Sequence, residues 1–332
     1  MEEIREKNEK FLSVRDLRVQ YKLGGDTVYA VNGVDFELEK GATLGLVGET
    51  GAGKTTIAKA ILRILPDHSL KSLTGEVDFE GQNILALPEK QMRELRGKSI
   101  SMIFQDPMTA LNPVKTVVEQ IAEGIELHQN KKKAEARAAA IEMLELVGIS
   151  ADRADEYPHQ FSGGMKQRVV IAIALACHPD LLIADEPTTA LDVTIQAQVL
   201  ELIASLQKKL GTSMILITHD LGVVAGSCNT VAVVYAGEII EYGTKEAIFD
   251  HPTHPYTIGL FGALPDLTKN VKRLSPILGL PPDPTVEYSD CCPFAPRCPH
   301  ATQACSAAKP ENVQVAEGHW VRCLRAKEET HG

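Results

Sequence analysis

Residues 48–55 combine glycine, lysine and threonine at a spacing that suits phosphate chemistry. They match the pattern G-x-x-x-x-G-K-S/T at every fixed position. Glycines let backbone N–H groups converge on phosphate oxygens, Lys54 can reach the β- and γ-phosphates, and the Thr55 hydroxyl can bind Mg²⁺. An apolar run, residues 43–47, precedes the loop, and a helical pattern follows it from Thr55 to Leu65. Strand, glycine loop and helix in this order predict a phosphate-binding loop rather than a turn that merely contains glycines.

Two adjacent carboxylates end a second apolar run, Asp180-Leu-Leu-Ile-Ala-Asp-Glu186. A strand at residues 181–184 places both carboxylates at the carboxyl edge of a parallel sheet, beside the phosphate-binding loop. There Asp185 can hold Mg²⁺ through water, and Glu186 can orient or deprotonate an attacking water. Such a pair alone is equally compatible with a solvated turn, but together with the loop it indicates nucleotide hydrolysis.

A third motif, Phe161-Ser-Gly-Gly-Met-Lys-Gln167, opens a helical run at residues 168–176. Ser162 can cap the helix, and the free N–H groups there attract an anion. The motif resembles the signature of ATP-binding cassette (ABC) ATPases, and residues from about 11 to 253 resemble one such cassette. Phe161 and Met165 stand where Leu and Gln are usual, a variant similar to the peptide-transporter branch.

This resemblance implies that two cassettes sandwich two ATP molecules, each signature binding the γ-phosphate held by the opposite subunit. Four more positions resemble family motifs. Gln105 resembles the glutamine that senses Mg²⁺ and water, and His219 the histidine that contacts the γ-phosphate. The sequence Ala190-Leu-Asp192 resembles the loop that contacts the partner cassette. Tyr21 resembles the aromatic that stacks on adenine, although a loop tyrosine is the alternative.

The implied site residues fall into four groups. The ATP-binding residues are Tyr21, Gly48, Glu49, Thr50, Gly51, Ala52, Gly53, Lys54, Thr55 and Thr56. The catalytic residues are Gln105, Glu186 and His219, and the Mg²⁺ ligands are Thr55, Gln105 and Asp185. The signature residues are Ser162, Gly163, Gly164, Met165, Lys166 and Gln167, with Asp192 at the dimer interface.

The elements that must position these residues alternate between strand and helix, which predicts a mainly parallel sheet with helices on both faces. We therefore expect the α/β fold of a P-loop NTPase ABC cassette, residues 1–253, with an antiparallel N-terminal β subdomain and a helical subdomain at about 106–178. A small Cys-rich extension follows at 254–332. The individual predictions are strands at 11–20, 28–38, 43–47, 181–184 and 214–217, helices at 169–176 and 195–210, helical structure over 117–147, and short strands after Val231 with turns at Gly237 and Gly243.

Five of the seven cysteines fall in the last 42 residues. Cys292, Cys298, Cys305 and Cys323 follow the spacing C-x5-C-x6-C-x17-C, which suits one metal centre but does not choose the metal. The pattern resembles the C-terminal motif of dipeptide and oligopeptide importer ATPases, some of which bind a 4Fe-4S cluster there. A 4Fe-4S cluster is thus implied, with zinc as the alternative and a purely structural role in either case. Cys291 stands where the family usually has glycine, so either Cys291 or Cys292 is the first ligand.

Composition and charge argue against several other classes of function. The formal charge of −10 argues against nucleic-acid binding and against adhesion to anionic lipid. No apolar stretch approaches the roughly 20 residues that span a bilayer, and the N-terminus lacks the apolar core of a signal peptide. We therefore expect a cytoplasmic protein that reaches the membrane through a protein partner.

The resemblance implies the ATPase subunit of a dipeptide or oligopeptide importer on the cytoplasmic face of the membrane. Its implied partners are a second ATPase subunit, identical or related, two transmembrane permeases and an extracytoplasmic peptide-binding protein. Nickel, glutathione or an oligosaccharide is the alternative cargo. A soluble ABC ATPase of translation or DNA maintenance is disfavoured, because such proteins usually carry two cassettes or a long coiled coil. Here only about 107 residues separate Lys54 from Ser162, without sustained heptads.

Overall fold

The structure is a computed structural model that describes residues 11–189, 191–263 and 277–329. It divides into two compact units, each described by itself. Of the described residues, the first unit comprises 11–38, 44–85, 219–263 and 277–329, and the second comprises 39–43, 86–189 and 191–218. Within the described ranges, no helix is both long enough and apolar enough to cross a membrane.

The described residues form strands and helices throughout the chain. The strands are β1 (Leu12–Leu23), β2 (Asp26–Leu38), β3 (Thr43–Val47), β4 (Leu70–Phe79), β5 (Gln82–Asn83), β6 (Ile100–Ile103), β7 (Leu181–Asp185), β8 (Ser213–Ile217), β9 (Thr230–Tyr235), β10 (Glu238–Thr244), β11 (Val313–Ala316) and β12 (His319–Val321). The helices are α1 (Lys54–Ile61), α2 (Glu89–Leu95), α3 (Pro107–Ala110), α4 (Val117–Gln129), α5 (Lys133–Leu146), α6 (Gly163–Leu175), α7 (Val193–Leu210), α8 (Leu221–Ser227), α9 (Lys245–Asp250), α10 (Pro255–Gly262), α11 (Gln303–Ala307) and α12 (Leu324–Glu329).

An antiparallel sheet in the first unit has the strand order β2-β1-β4-β5. β1 and β2 pair from Leu12 opposite Leu38 to Leu23 opposite Asp26. The turn between them contains Gly24, whose φ of 61° suits glycine. The two early strands and their turn, predicted from alternation of apolar residues, are therefore confirmed.

The strand that leads into the phosphate-binding loop lies in a second group of strands of the first unit, ordered β11-β12-β10-β9-β3. β3 is buried at every position and pairs in parallel with β9, Val47 opposite Val233. β9 and β10 pair antiparallel around Gly237, the predicted turn. The turn predicted at Gly243 is wrong, because Gly243 lies within β10. A Cβ at Gly243 would lie 3.2 Å from the Gly318 carbonyl oxygen. Glycine at this position therefore allows the backbone at Gly318 to approach β10 closely.

The second unit contains the parallel strands β6, β7 and β8, with Ile103 opposite Ala184 and Asp185 opposite Ile217. Helices α4 and α5 pack against each other, and both pack against α6. α4 begins at a capping box, in which the Thr116 side chain accepts from the Glu119 N–H. The helical structure predicted for 117–147 is therefore two helices separated by a short loop.

The C-terminal residues add strands to the first unit. β12 pairs with β10, with Tyr242 opposite Trp320. Buried Glu241 accepts a hydrogen bond from His319 at 2.8 Å, joining the two strands through their side chains. Lys309 and Arg322 both form ion pairs with buried Glu238 at the start of β10.

Candidate nucleotide-binding site

The phosphate-binding loop has a backbone that only glycine can adopt at two positions. Gly48 has a φ of 150° and Gly53 a φ of 107°. A Cβ at Gly48 would lie 2.2 Å from the Val234 carbonyl oxygen, and one at Gly53 would lie 2.5 Å from that of Ala30. The loop is therefore held tightly against β9 and β2, which is what a backbone cradle for phosphate requires.

Lys54 is the first residue of α1, and Gly53 is its N-cap. Its side chain is buried, and Nζ donates to the carbonyl oxygens of Gly48 and Glu49 at 2.7 and 2.9 Å. The predicted helix after the loop is confirmed, although it ends at Ile61 rather than at Leu65. The N–H groups of its first turn and the lysine ammonium thus gather positive charge at the loop.

Tyr21 lies in β1, half-buried, beside the first turn of α1. Burial raises the pKa of its hydroxyl, while a hydrogen bond to the Thr56 side chain acts in the opposite direction. The structure therefore brings the predicted adenine-stacking tyrosine to the end of the phosphate-binding loop within the first unit.

In the second unit, the carboxylate of Glu186 is held by two side chains. Glu186 follows β7, and Gln105 lies two residues beyond β6, its parallel neighbour. Gln105 Nε2 donates to Glu186 Oε2 at 2.8 Å, and Thr189 Oγ1 donates to the same oxygen at 2.9 Å. Asp185, the last residue of β7, is buried. Sequence reasoning missed Thr189, although its position three residues after Glu186 was a usable signal.

The backbone of Glu186 lies in the left-handed region, with a φ of 46°. Its N–H donates to the carbonyl oxygen of Ile217 at the end of β8, and its carbonyl accepts from the N–H of Thr189. Non-glycine residues rarely adopt this conformation, and they often do so at functional sites. The chain therefore leaves the β7 strand conformation at Glu186, directly after Asp185.

The signature motif lies at the N-terminus of α6, as predicted. Ser162 is the N-cap, and its Oγ accepts from the Met165 N–H at 3.4 Å. A Cβ at Gly164 would lie 2.7 Å from Ile195 Cγ2, so this glycine allows α6 and α7 to approach closely. Gln167 is fully buried, and within the described residues neither polar atom of its amide has a hydrogen-bond partner.

Asp192 and His219 occupy capped turns before helices. Asp192 is the N-cap of α7 and accepts from the Ile195 N–H at 3.0 Å. Ala190, which belongs to the same predicted interface loop, lies outside the described residues. His219 is exposed and directly precedes Asp220, the N-cap of α8.

Two separate segments of the chain match known protein families. Residues 31–189 match the ABC transporter family, and residues 240–305 match the oligopeptide/dipeptide transporter C-terminal region. The dipeptide transport ATP-binding protein DppD of Bacillus subtilis is 51% identical over 95% of this chain and 94% of its own length. The oligopeptide transport ATP-binding protein OppD of Escherichia coli is 47% identical over 96% and 94%, respectively.

The chain belongs to the family of dipeptide and oligopeptide ABC transporter ATP-binding subunits. A solved structure of the ATP-binding cassette MJ0796, in a dimeric post-hydrolysis state bound to ADP and Pi, is also similar. It matches with a TM-score of 0.63 and 26% identity, covering 70% of this chain and 98% of that one. The family and the ABC cassette fold predicted from the sequence are therefore confirmed.

Four of the seven cysteines, Cys292, Cys298, Cys305 and Cys323, line one cavity of about 210 Å³. Burial raises the pKa of the Cys292 thiol to about 11, and the nearby thiols of Cys305 and Cys323 act in the same direction. Burial also raises the thiol pKa values of Cys298 and Cys323. Across the described ranges, however, no three His, Cys, Asp or Glu side chains are arranged to hold a metal ion. The predicted metal centre is therefore not confirmed.

Proposed function

We infer that this chain is the ATP-hydrolysing subunit of an importer that moves dipeptides or oligopeptides across the cytoplasmic membrane. The observation that carries the hydrolytic role is the Glu186 carboxylate, oriented by Gln105 and Thr189 at the end of β7. Peptide cargo is supported by the relatives, which are named for dipeptide and oligopeptide transport.

ATP binds through the residues of the first unit. The N–H groups of residues 48–55 and the start of α1 contact the phosphates, and Lys54 neutralises the β- and γ-phosphates. Tyr21 stacks on the adenine ring, which the half-buried position of its ring beside Thr56 supports. Thr55 supplies one Mg²⁺ ligand through its hydroxyl.

Hydrolysis uses the residues at the strand ends. Asp185 would hold Mg²⁺ through water, Gln105 would contact the metal and the attacking water, and Glu186 would orient or deprotonate that water. His219 contacts the γ-phosphate. Because Gln105 donates to Glu186, a shift of the glutamine changes the orientation of the catalytic carboxylate.

A second cassette completes the site, as the family resemblance implies. Ser162, Gly163 and Gly164 at the start of α6 bind the γ-phosphate of ATP held by the partner ATPase, identical or related in sequence. The free N–H groups at this helix end support that role. Asp192 contacts the partner cassette. ATP-driven closure then acts on two permease subunits at the cytoplasmic membrane face, which receive peptide from an extracytoplasmic binding protein.

We further propose that Cys292, Cys298, Cys305 and Cys323 are the ligands of a thiolate-bound metal centre, although no three side chains of the described residues are arranged to hold a metal ion. All four cysteines line one cavity, and Cys292 rather than Cys291 is among the lining residues. Four thiolates suit a 4Fe-4S cluster, with zinc as the alternative. When bound, such a centre ties residues 292–323 together without taking part in hydrolysis. Anaerobically purified protein is expected to absorb at about 400 nm and to lose this band in Cys298→Ser. A colourless protein with stoichiometric zinc contradicts the cluster.

The hydrolytic role is tested by Glu186→Gln, which keeps the shape and loses the charge of the carboxylate. We expect steady-state ATP hydrolysis to fall by about a thousandfold while ATP binding persists and an ATP-bound dimer accumulates. Near-normal turnover removes Glu186 from this role. The transport role is tested by purification from membranes, which should recover permease subunits; recovery with ribosomes or DNA instead contradicts it.

A further inference from the structure

Arg297 of the cysteine loop, residues 292–298, reaches the phosphate-binding loop. Its guanidinium forms a bidentate ion pair with Glu49, with Nη1 to Oε2 at 2.8 Å and Nη2 to Oε1 at 3.0 Å. The Arg297 side chain is only 6% exposed, and Nε also donates to the carbonyl oxygen of Leu278. Two parallel charge-assisted hydrogen bonds at a shielded site fix geometry as well as charge.

Tyr256 of α10 holds the backbone of the same glutamate. The Glu49 N–H donates to the Tyr256 hydroxyl at 2.8 Å. The Tyr256 ring is fully buried against Tyr235 and Phe294, with ring centroids 4.6 and 5.5 Å away. Because Phe294 belongs to the cysteine loop, the hydroxyl that accepts from Glu49 is itself positioned by that loop.

Glu49 is thereby fixed at every polar group. Its carbonyl oxygen accepts from Lys54 Nζ at 2.9 Å and from the Ala52 N–H at 3.2 Å. Its N–H and its carboxylate are held by residues about 200 or more positions later in the chain. The conformation of the phosphate-binding loop between Gly48 and Lys54 thus depends on contacts from beyond residue 253.

The ion pair also offsets the negative charge of the Glu49 carboxylate. A carboxylate next to the phosphates of ATP opposes their binding, since like charges repel. Arg297 neutralises the charge of the Glu49 carboxylate. The guanidinium also donates to the Tyr235 hydroxyl at 3.3 Å, and this contact helps to hold it in place. Loss of Arg297 therefore frees the loop and exposes a negative charge at the same time.

We propose that Arg297 is a positioning residue for nucleotide binding, through which the cysteine loop sets the conformation and charge of the phosphate-binding loop. This inference rests on the proposed function only in taking residues 48–55 as the phosphate site. It assigns the C-terminal region a part in ATP binding, in addition to its packing on β10.

The test measures the affinity of the full-length chain for Mg²⁺ and AMP-PNP by calorimetry. Arg297→Met should weaken binding about tenfold. Adding Glu49→Gln to Arg297→Met should restore most of the affinity, because the unpaired carboxylate is removed; a merely structural role predicts no such rescue. Tyr256→Phe, which deletes the acceptor of the Glu49 N–H, should weaken binding about fivefold and serves if Arg297→Met does not fold.

Lys309→Met is the matched control, since Lys309 pairs with Glu238 in the same C-terminal region and lies outside the phosphate-binding loop. It should lower thermal stability and leave affinity unchanged. Equal weakening by Lys309→Met and Arg297→Met, or unchanged affinity in both Arg297→Met and Tyr256→Phe, overturns the proposal. If Lys54→Ala also binds as well as the unaltered chain, the assignment of residues 48–55 as the phosphate site fails instead.

Discussion

The carboxylates of Glu186 and Glu49 are held in position by side-chain contacts whose sequence separations differ greatly. Thr189 reaches Glu186 from three residues away, whereas Gln105 does so from 81 and Arg297 reaches Glu49 from 248. Local spacing and motif order predicted Glu186 and Gln105 as site residues, and the structure joins their side chains by a hydrogen bond. Nothing local links residue 49 to residue 297, so that ion pair becomes visible only in the folded chain.

Gln105→Ala removes one hydrogen bond to the Glu186 carboxylate, which we propose is catalytic, together with the proposed contact of Gln105 with Mg²⁺ and water. The Glu186 carboxylate keeps its bond from Thr189 but loses directional restraint, so we expect kcat for ATP hydrolysis to fall about tenfold or more. Gln120→Ala is the control, because that side chain bonds the backbone of Asn112 and Lys115 instead. Equal effects of the two variants on kcat contradict a specific role for Gln105.

Gln167→Leu tests the cost of a buried amide without partners in the described residues. Removing an unsatisfied polar group of this kind should raise the free energy of unfolding by about 1 kcal/mol, measured by urea denaturation. Gln207→Leu is the matched control, since buried Gln207 donates to the Gly41 carbonyl and should lose about 1 kcal/mol. If both variants are destabilised equally, the Gln167 amide is satisfied in solution. A stabilised but slower enzyme assigns Gln167 a functional role.

Strands and helices of the cassette were predictable where burial leaves a clear pattern. β3, β7 and β8 are buried at every position, so each reads as a continuous apolar run. β6, with four residues, is too short to show a period, and β4 has mostly half-buried or exposed positions without strict alternation. β6 pairs with β7 and β4 pairs with β1, both far along the chain. The sequence pattern alone does not indicate these pairings.

Gly53→Ala tests how the strand–loop–helix element depends on glycine. An added Cβ meets the Ala30 carbonyl oxygen and forces an unfavourable φ, so unfolding free energy should fall by about 3 kcal/mol, with loss of nucleotide binding. Gly211→Ala at the end of α7 is the control, because its φ of 69° is also positive but nothing lies within 4 Å. It should cost about 1 kcal/mol. Equal costs in urea unfolding contradict a steric role for Gly53.

At the scale of the whole chain, the described residues beyond 253, which are 254–263 and 277–329, belong to the first unit together with β9 and β10. They pair β12 with β10, place two cations on Glu238 and fix Glu49 in the phosphate-binding loop. The sequence predicted a boundary from the change to Pro, His and Cys, but composition cannot show which strand those residues join. Stability of the cassette should therefore respond to groups buried in the C-terminal region.

His254, the N-cap of α10, should make the free energy of unfolding depend on pH. Burial lowers its pKa to about 4, below the 6.5 of an ordinary histidine, although Glu241 acts in the opposite direction. The unfolded chain then binds the proton more readily, so stability is complete above pH 6.5 and falls as the pH drops toward 4. Between pH 7.5 and 5.5 this group should remove about 1.4 kcal/mol from the free energy of unfolding in urea. His254→Asn retains a helix-capping side chain but cannot titrate, so it should lack this component. Identical pH dependence in both proteins means that His254 is accessible to protons in the folded chain.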